Sequence, residues 1–143
     1  MEYAIHPMET KDYDSVIALW SKTDGIVLTD TDEKRPMQVF LSRNPGLSLV
    51  AYCGDELVGA VLCSQDGRRG YMHHLAVRKE FRRQGIGSAL VRQCLLRLRQ
   101  VGIRKCNIFI VPENHEAIAF WQHNGFSMLP HFDWMQAIIE NDG

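Results

Sequence analysis

The sequence predicts an α/β domain with a mixed, mostly antiparallel, twisted sheet flanked by helices. The predicted elements follow the order strand, helices, three strands, helix, strand, helix, strands, which requires at least one right-handed crossover. The chain has 143 residues, 45% of them hydrophobic and 23% charged, and it contains no repeat, low-complexity tract or linker. This length and composition predict one domain over 1–143 that buries a core without disulfides or metals.

The first half of the chain is predicted to contain a strand, two helices and a hairpin. Residues 3–6 alternate as in a short strand, and apolar side chains from Tyr13 to Trp20 recur every three to four residues, as in an amphipathic helix. A second short helix around Met37 and Phe40 follows an Asp- and Thr-rich segment, which we expect to be a mobile, acidic cap. Two β-rich runs, 47–53 and 56–63, are then joined by Gly-Asp, a two-residue hairpin signal.

The second half is predicted to alternate strands and helices. In order, these elements are a strand at 71–77, a helix at 86–101, a strand at 106–111, a helix at 114–124 and a final hairpin at 126–139 that Pro130 interrupts. Phe132, Trp134 and Met135 make the hairpin apolar, and such a surface is suited to pairing across a homodimer. The sequence leaves the oligomeric state open.

The charges are unevenly distributed, although the formal total is only −1. Residues 1–67 carry a net charge of −6, residues 68–105 carry +10 and residues 106–143 carry −5. A basic block inside a neutral chain predicts that one part of the surface faces an anion. Nucleic acid is not the expected partner, because the arginines at 92, 97 and 99 project from a helix with no aromatic stacking pattern beside them.

The cysteines and apolar runs exclude further classes of protein. Cys53, Cys63, Cys94 and Cys106 form no C-x-x-C pair and have no His at zinc-finger spacing, so free thiols and no metal site are expected. No run of 18 apolar residues predicts a membrane span, and residues 1–10 lack the apolar stretch of a signal peptide. We therefore expect a cytoplasmic protein with no membrane partner.

The residues that indicate chemistry lie in the loop before the long helix, from Arg82 to Ser88 (RRQGIGS). Its two glycines, Gly85 and Gly87, let the backbone turn tightly and approach a ligand closely. The helix N-terminus presents unpaired N–H groups and a partial positive charge, which suits a phosphate or pyrophosphate. The dinucleotide-fold pattern needs a third glycine and the P-loop pattern needs Gly-Lys-Ser/Thr, so neither is met.

This loop resembles the R-x-x-G-x-G signature of the GNAT superfamily of acetyl-CoA-dependent N-acetyltransferases, with Arg82, Gly85 and Gly87 at the signature positions. The preceding strand resembles that family's fourth strand. A second family motif, N-x-x-A-x-x-F-Y-x-x-x-G-F, is matched by Asn114, Ala117, Phe120, Trp121, Gly125 and Phe126. The resemblance covers roughly residues 47–126, and the chain looks most like the small, single-domain bacterial acetyltransferases of the superfamily.

The resemblance implies acetyl-CoA as co-substrate and direct attack on its thioester by a primary amine of a small molecule or a protein. It assigns the pyrophosphate cradle to the backbone of Arg83, Gln84, Gly85, Ile86, Gly87 and Ser88, and it counts Arg82 among the coenzyme-binding residues. It assigns the pantetheine arm to the strand edge at Leu75, Ala76 and Val77, where a backbone N–H polarises the thioester carbonyl. Asn114 contacts the coenzyme in this view, or is a plain helix N-cap.

Strand alternation selects the candidate catalytic side chains. It places Tyr71, His73, Leu75 and Val77 on one face and His74 on the other. If Leu75 and Val77 border the cofactor, His73 and Tyr71 are the polar groups best placed to reach the amine, and His73 is suited to relay a proton through water. The alternative is that both histidines only satisfy the strand surface.

Trp121 departs from the family motif, which usually has a Tyr that protonates the leaving thiolate. An indole N–H cannot transfer a proton at neutral pH, so Tyr71, a water or unassisted departure must replace that acid. Trp121 is expected to form a wall of the acyl pocket or to pack in the core. This departure favours a second hypothesis, a coenzyme A binding module without efficient turnover.

The acceptor is indicated only by charge. Asp30, Asp32 and Glu33 lie in the segment that covers the acceptor in the resembling family. Their carboxylates favour a cationic amine, and a solvated acidic loop is the alternative.

Overall fold

Four α-helices and five β-strands are present in the part of the chain that the computed structural model describes, residues 2–140. They are β1 (Ala4–Pro7), α1 (Tyr13–Ser21), α2 (Lys34–Arg43), β2 (Leu49–Cys53), β3 (Glu56–Gln65), β4 (Gly70–Val77), α3 (Ile86–Gln100), β5 (Cys106–Ile108) and α4 (His115–His123). The chain divides into two compact units, Met1–Val111 and Pro112–Gly143. The predicted order of elements is therefore confirmed from β1 to α4.

The first unit contains one five-stranded sheet in the order β1-β2-β3-β4-β5. The first four strands pair antiparallel, and β5 pairs parallel with β4 after the chain crosses over through α3. The predicted hairpin joins β2 to β3, with Gly54 in a left-handed conformation that glycine adopts readily. The mixed, mostly antiparallel sheet is thus confirmed.

Helices cover both faces of this sheet. Leu62 of β3 belongs to a buried cluster with Val16 and Trp20 of α1. The next residue, Cys63, points to the opposite face, because strand side chains alternate, and there it hydrogen-bonds Cys94 of α3. That bond and burial raise the pKa of the Cys94 thiol, which keeps it protonated.

Two glycines allow α3 to lie close to the sheet. A Cβ atom on Gly70 would stand 2.6 Å from Leu98 Cδ1, and one on Gly59 would stand 3.1 Å from Leu90 Cδ1. The absence of these side chains lets the helix pack directly on β3 and β4.

The second unit contains α4, and the predicted hairpin after it is wrong. No strand follows α4 as far as residue 140. Pro130 has no N–H to donate to a ladder, and the side chains of Phe132, Trp134 and Met135 are exposed. The predicted strand at 106–111 is also shorter than expected, since pairing ends at Ile108.

Candidate active site

Strand β4 has two halves with different neighbours. Its first three residues, Gly70 to Met72, pair with β5 on one side and with β3 on the other. From His73 to Val77, among the described residues of the first unit, the edge that faces away from β3 has no strand beside it. Main-chain groups along such an edge can pair with an extended ligand. We call this stretch, His73 to Val77, the open edge.

A β-bulge lies at the start of the open edge. Register pairs Leu62 with His73 and Ala60 with Ala76, so two steps along β3 match three steps along β4. The extra residue puts His74 at a φ of +54°, in the left-handed region that a non-glycine residue adopts at a cost of about 1–2 kcal/mol. Bulges of this kind re-aim side chains next to functional sites.

The bulge overturns the predicted alternation of faces. Residues opposite each other in a ladder share a face, so His73 lies on the same face as Leu62, beneath α1. Val77 pairs with Gly59, and a Cβ atom added to Gly59 would contact Leu90 of α3. Val77 therefore lies on the opposite face, beneath α3. The prediction that His73 and Val77 share a face is wrong, because the extra residue shifts the alternation between them.

His73 lies among aromatic rings. Its imidazole is nearly parallel to the ring of Tyr71, with centroids 6.4 Å apart, and lies 5.4 Å from the ring of Phe109. Burial lowers the pKa of His73, the neighbouring His74 acts in the same direction, and Asp32 opposes them. His73 is therefore held as the neutral imidazole at neutral pH.

His74 contacts the segment between α1 and α2. Its Nε2 lies 3.0 Å from Oδ1 of Asp32, and its ring meets Trp20 edge to face at 5.0 Å. Asp32 is buried at the end of a 3₁₀ turn, and its backbone carbonyl accepts a 2.7 Å hydrogen bond from the hydroxyl of Tyr13. The sequence did not predict this pairing, because 42 residues separate the partners and no local pattern links them.

The loop Arg82 to Ser88 has the backbone conformation of an anion site. Gly85 is left-handed at a φ of +83°, and a Cβ there would meet nothing within 4 Å. Ile86 then begins α3, whose N-terminus has no side-chain cap. A left-handed residue followed by a helix start is the arrangement of an anion-binding nest. The predicted cradle for a pyrophosphate fits this geometry.

The two arginines of the loop differ in their hydrogen bonding and in their backbone conformation. Arg82 donates from Nε to the carbonyl of Val77 at 2.9 Å, which ties the loop to the end of the open edge. Arg83 is left-handed at a φ of +63°. Gln84 and the loop glycine Gly85 are exposed, whereas Gly87 and Ser88 are partly covered.

The second unit holds the other two predicted coenzyme residues. Asn114 accepts a 3.0 Å hydrogen bond from the N–H of Ala117 and is the N-cap of α4. The indole of Trp121 meets the rings of Phe120 and Phe126 edge to face, at 5.3 and 5.0 Å. These contacts give both residues a structural role within their own unit.

In the described part of the chain, no group of three or more His, Cys, Asp or Glu side chains has an arrangement that could hold a metal. Among residues 2–140, no helix combines the length and apolar character needed to cross a membrane.

Comparison with known sequences gives a family match. The model of the acetyltransferase (GNAT) family matches residues 12–126. An acetyltransferase of Photorhabdus laumondii is 34% identical over 109 residues, which are 76% of this chain and 75% of the relative. An acetyltransferase of Pectobacterium atrosepticum is 31% identical over 111 residues, 78% of each chain.

Solved structures share the fold. Ard1 from Thermoplasma volcanium has a TM-score of 0.80 and 23% identity, over 90% of this chain and 85% of that one. The PaiA N-acetyltransferase from Thermoplasma acidophilum, in complex with coenzyme A, has a TM-score of 0.76 and 18% identity, over 89% and 91% of the two chains.

Proposed function

This chain belongs to the acetyltransferase (GNAT) family, and we propose that it transfers the acetyl group of acetyl-CoA to a primary amine of a small molecule or a protein. The observation that carries this proposal is the continuity between the open edge of β4 and the left-handed turn at Gly85. The open edge offers main-chain pairing to an extended arm, and the turn at Gly85 offers N–H groups to an anion. The coenzyme A bound to the PaiA N-acetyltransferase, a protein of the same fold, supports it.

The chain's main-chain groups hold the co-substrate in this proposal. Leu75, Ala76 and Val77 pair with the pantetheine arm, and the backbone of the loop from Arg83 to Ser88 receives the pyrophosphate. Arg82 acts by anchoring that loop to Val77. Bound acetyl-CoA supplies the thioester that the amine attacks. A backbone N–H of the open edge polarises the thioester carbonyl. By the family resemblance, Asn114 and Trp121 are also proposed to contact coenzyme A.

Two side chains are proposed to transfer protons during the attack of the amine. His73 is proposed to relay the proton of the attacking amine, because the neutral imidazole has a nitrogen that accepts one. Tyr71, stacked beside it, is proposed as the proton donor that replaces the Tyr absent from the second motif.

The acidic segment is proposed to favour a cationic amine. Asp32 is already bonded to His74 and is buried, so it is not the carboxylate that meets a cation. Asp30 and Glu33, on either side, are exposed and carry the charge that faces solvent. A cationic acceptor would therefore meet Asp30 and Glu33.

The function is tested by thiol release. The purified chain is mixed with acetyl-CoA and a panel of amines, including polyamines, aminoglycosides and peptides with free N-termini, and free coenzyme A is measured. Release that depends on one class of amine, with a matching mass increase of the amine, is the expected result. Tight coenzyme binding without release on any amine would instead favour a binding module, the alternative that Trp121 suggests.

The role of His73 is tested by His73→Ala. We expect kcat on the selected amine to fall about 100-fold, while the Kd for acetyl-CoA stays within a factor of two, because the histidine meets the amine and not the coenzyme. His6→Ala is the matched control, since His6 is exposed on β1, at the far edge of the sheet. Equal kcat in His73→Ala and parent would remove the assignment.

A further inference from the structure

We propose that His74 is a second catalytic residue, which accepts the proton of the amine at Nδ1, and that Asp32 is the positioning residue that keeps Nδ1 free. This proposal rests on the proposed acetyl transfer. The two residues come from different parts of the chain, Asp32 from the segment before α2 and His74 from the bulge in β4. Together we call them the dyad.

The hydrogen bonds of Asp32 decide which nitrogen of His74 carries the hydrogen. The Asp32 side chain is 8% exposed, and its Oδ2 accepts a 3.0 Å bond from the N–H of Thr29. Its Oδ1 lies 3.0 Å from Nε2 of His74. A carboxylate only accepts, so Nε2 must donate. In the neutral ring this leaves Nδ1 without a hydrogen, able to accept a proton.

The surroundings of His74 suit this role. Trp20, fully buried, lies edge to face against the ring and restricts its rotation. The side chain of His74 is still 23% exposed, so the ring is accessible from one direction. Within the described residues, no hydrogen bond to Nδ1 is present. Met72 is the last residue of β4 that pairs with β5, and His74 lies two positions after it, at the start of the open edge.

The left-handed backbone at His74 is a further observation that points to a function of the dyad. A φ of +54° at a histidine is strained, and such strain persists where surrounding contacts enforce it. Here the contacts with Asp32 and Trp20 supply that constraint. His73 contacts the rings of Tyr71 and Phe109 and, among the described residues, has no hydrogen bond to a carboxylate. Of these two histidines in the described part of the chain, His74 is therefore the one whose ring a charge-assisted bond orients.

The chemical step balances without a further reactant. The amine nitrogen forms a bond to the thioester carbonyl carbon, the carbon–sulfur bond breaks, and the sulfur leaves with the electron pair. The proton lost by the nitrogen is relayed by His73 to Nδ1 of His74, while Asp32 stabilises the positive charge on the ring. The imidazolium then gives its proton to the thiolate or to solvent, which returns His74 to the starting tautomer.

The first test reads the tautomer directly and needs no acceptor. The full chain is labelled with ¹⁵N-histidine, and long-range ¹H–¹⁵N spectra are recorded at a pH where the rings are neutral; His74→Asn identifies the signal and tolerates the left-handed backbone. We expect the Nε2–H tautomer in the parent. In Asp32→Asn the amide can donate to Nε2, so we expect the Nδ1–H tautomer. An Nδ1–H tautomer in the parent, or no change in Asp32→Asn, overturns the positioning role.

The second test uses the amine selected by the panel. Asp32→Asn and His74→Asn should each lower kcat about 100-fold with an unchanged Kd for acetyl-CoA. The double variant should be no worse than the worse single variant, because the two residues act as a unit. Asp24→Asn, an exposed carboxylate of the same segment, is the control. An unchanged kcat in Asp32→Asn with correct folding, verified by thermal melting, overturns the proposal.

The two failures are distinguishable. If no amine is acetylated, the proposed function fails, and the tautomer experiment alone decides whether Asp32 positions His74. If an amine is acetylated and neither dyad variant slows the reaction, the function stands and the dyad is overturned.

Discussion

The two sides of the candidate site are built from different parts of the polypeptide. On the proposed coenzyme side, the open edge of β4 and the loop from Arg82 to Ser88 offer main-chain groups. On the proposed acceptor side, His73, His74 and Asp32 offer side chains. A main-chain site needs particular backbone conformations, which glycine encodes locally. A side-chain site needs contacts between distant residues, which no local pattern encodes.

Among the effects on coenzyme binding and stability, the largest is expected on the coenzyme side, at Gly85. Gly85→Val adds a β-branched side chain at a φ of +83°, where the space around the Cβ is open but the backbone conformation is disfavoured by about 2 kcal/mol. We expect coenzyme A to bind about 30-fold more weakly, measured by calorimetry.

Gly85→Asn is the matched control for this change. It also adds a Cβ, but asparagine tolerates the left-handed region, so we expect an affinity close to that of the parent. Equal losses in both variants would show that the added volume, rather than the backbone conformation, decides binding.

A smaller effect is expected in the half of β4 that pairs with β5. Gly70→Ala places a methyl 2.6 Å from Leu98 Cδ1, and the overpacking should lower the free energy of unfolding by about 1 kcal/mol with coenzyme affinity unchanged. Urea denaturation measures this loss. In a Leu98→Ala background the same change should cost nothing, because the shortened side chain makes room. A change in coenzyme affinity would contradict the separation of the two halves.

The smallest effect is expected on the acceptor side, in the pH dependence of stability. Burial lowers the pKa of His73 below its ordinary value of 6.5, so the unfolded chain binds the proton first as the pH falls. Stability present above that value is therefore lost as the solution becomes more acidic. His73→Phe keeps a ring between Tyr71 and Phe109 and removes the titrating group.

Denaturation at pH 8 and at pH 5.5 measures this difference. The parent should lose more stability between the two pH values than His73→Phe does. The same loss in both would mean that His73 does not contribute to the acid sensitivity.

Much of the fold was predictable because it depends on local patterns. The helical spacing from Tyr13 to Trp20, the Gly-Asp hairpin and the glycine after α3 each specify one element. The hairpin after α4 was predicted wrongly, because residue types suited to strands do not form one without a partner strand to pair with. A single domain over 1–143 stays a prediction.

The sequence by itself determined the order of elements, the mixed sheet and the position of the glycine turn before α3. These depend on the spacing of apolar residues and on the backbone freedom of glycine, which are local properties. Only the tertiary structure decided which face His73 occupies and that His74 meets Asp32. A single extra residue in β4 reverses the alternation after it, and the contact with Asp32 forms only when α1 packs on the sheet and brings residues 42 positions apart together.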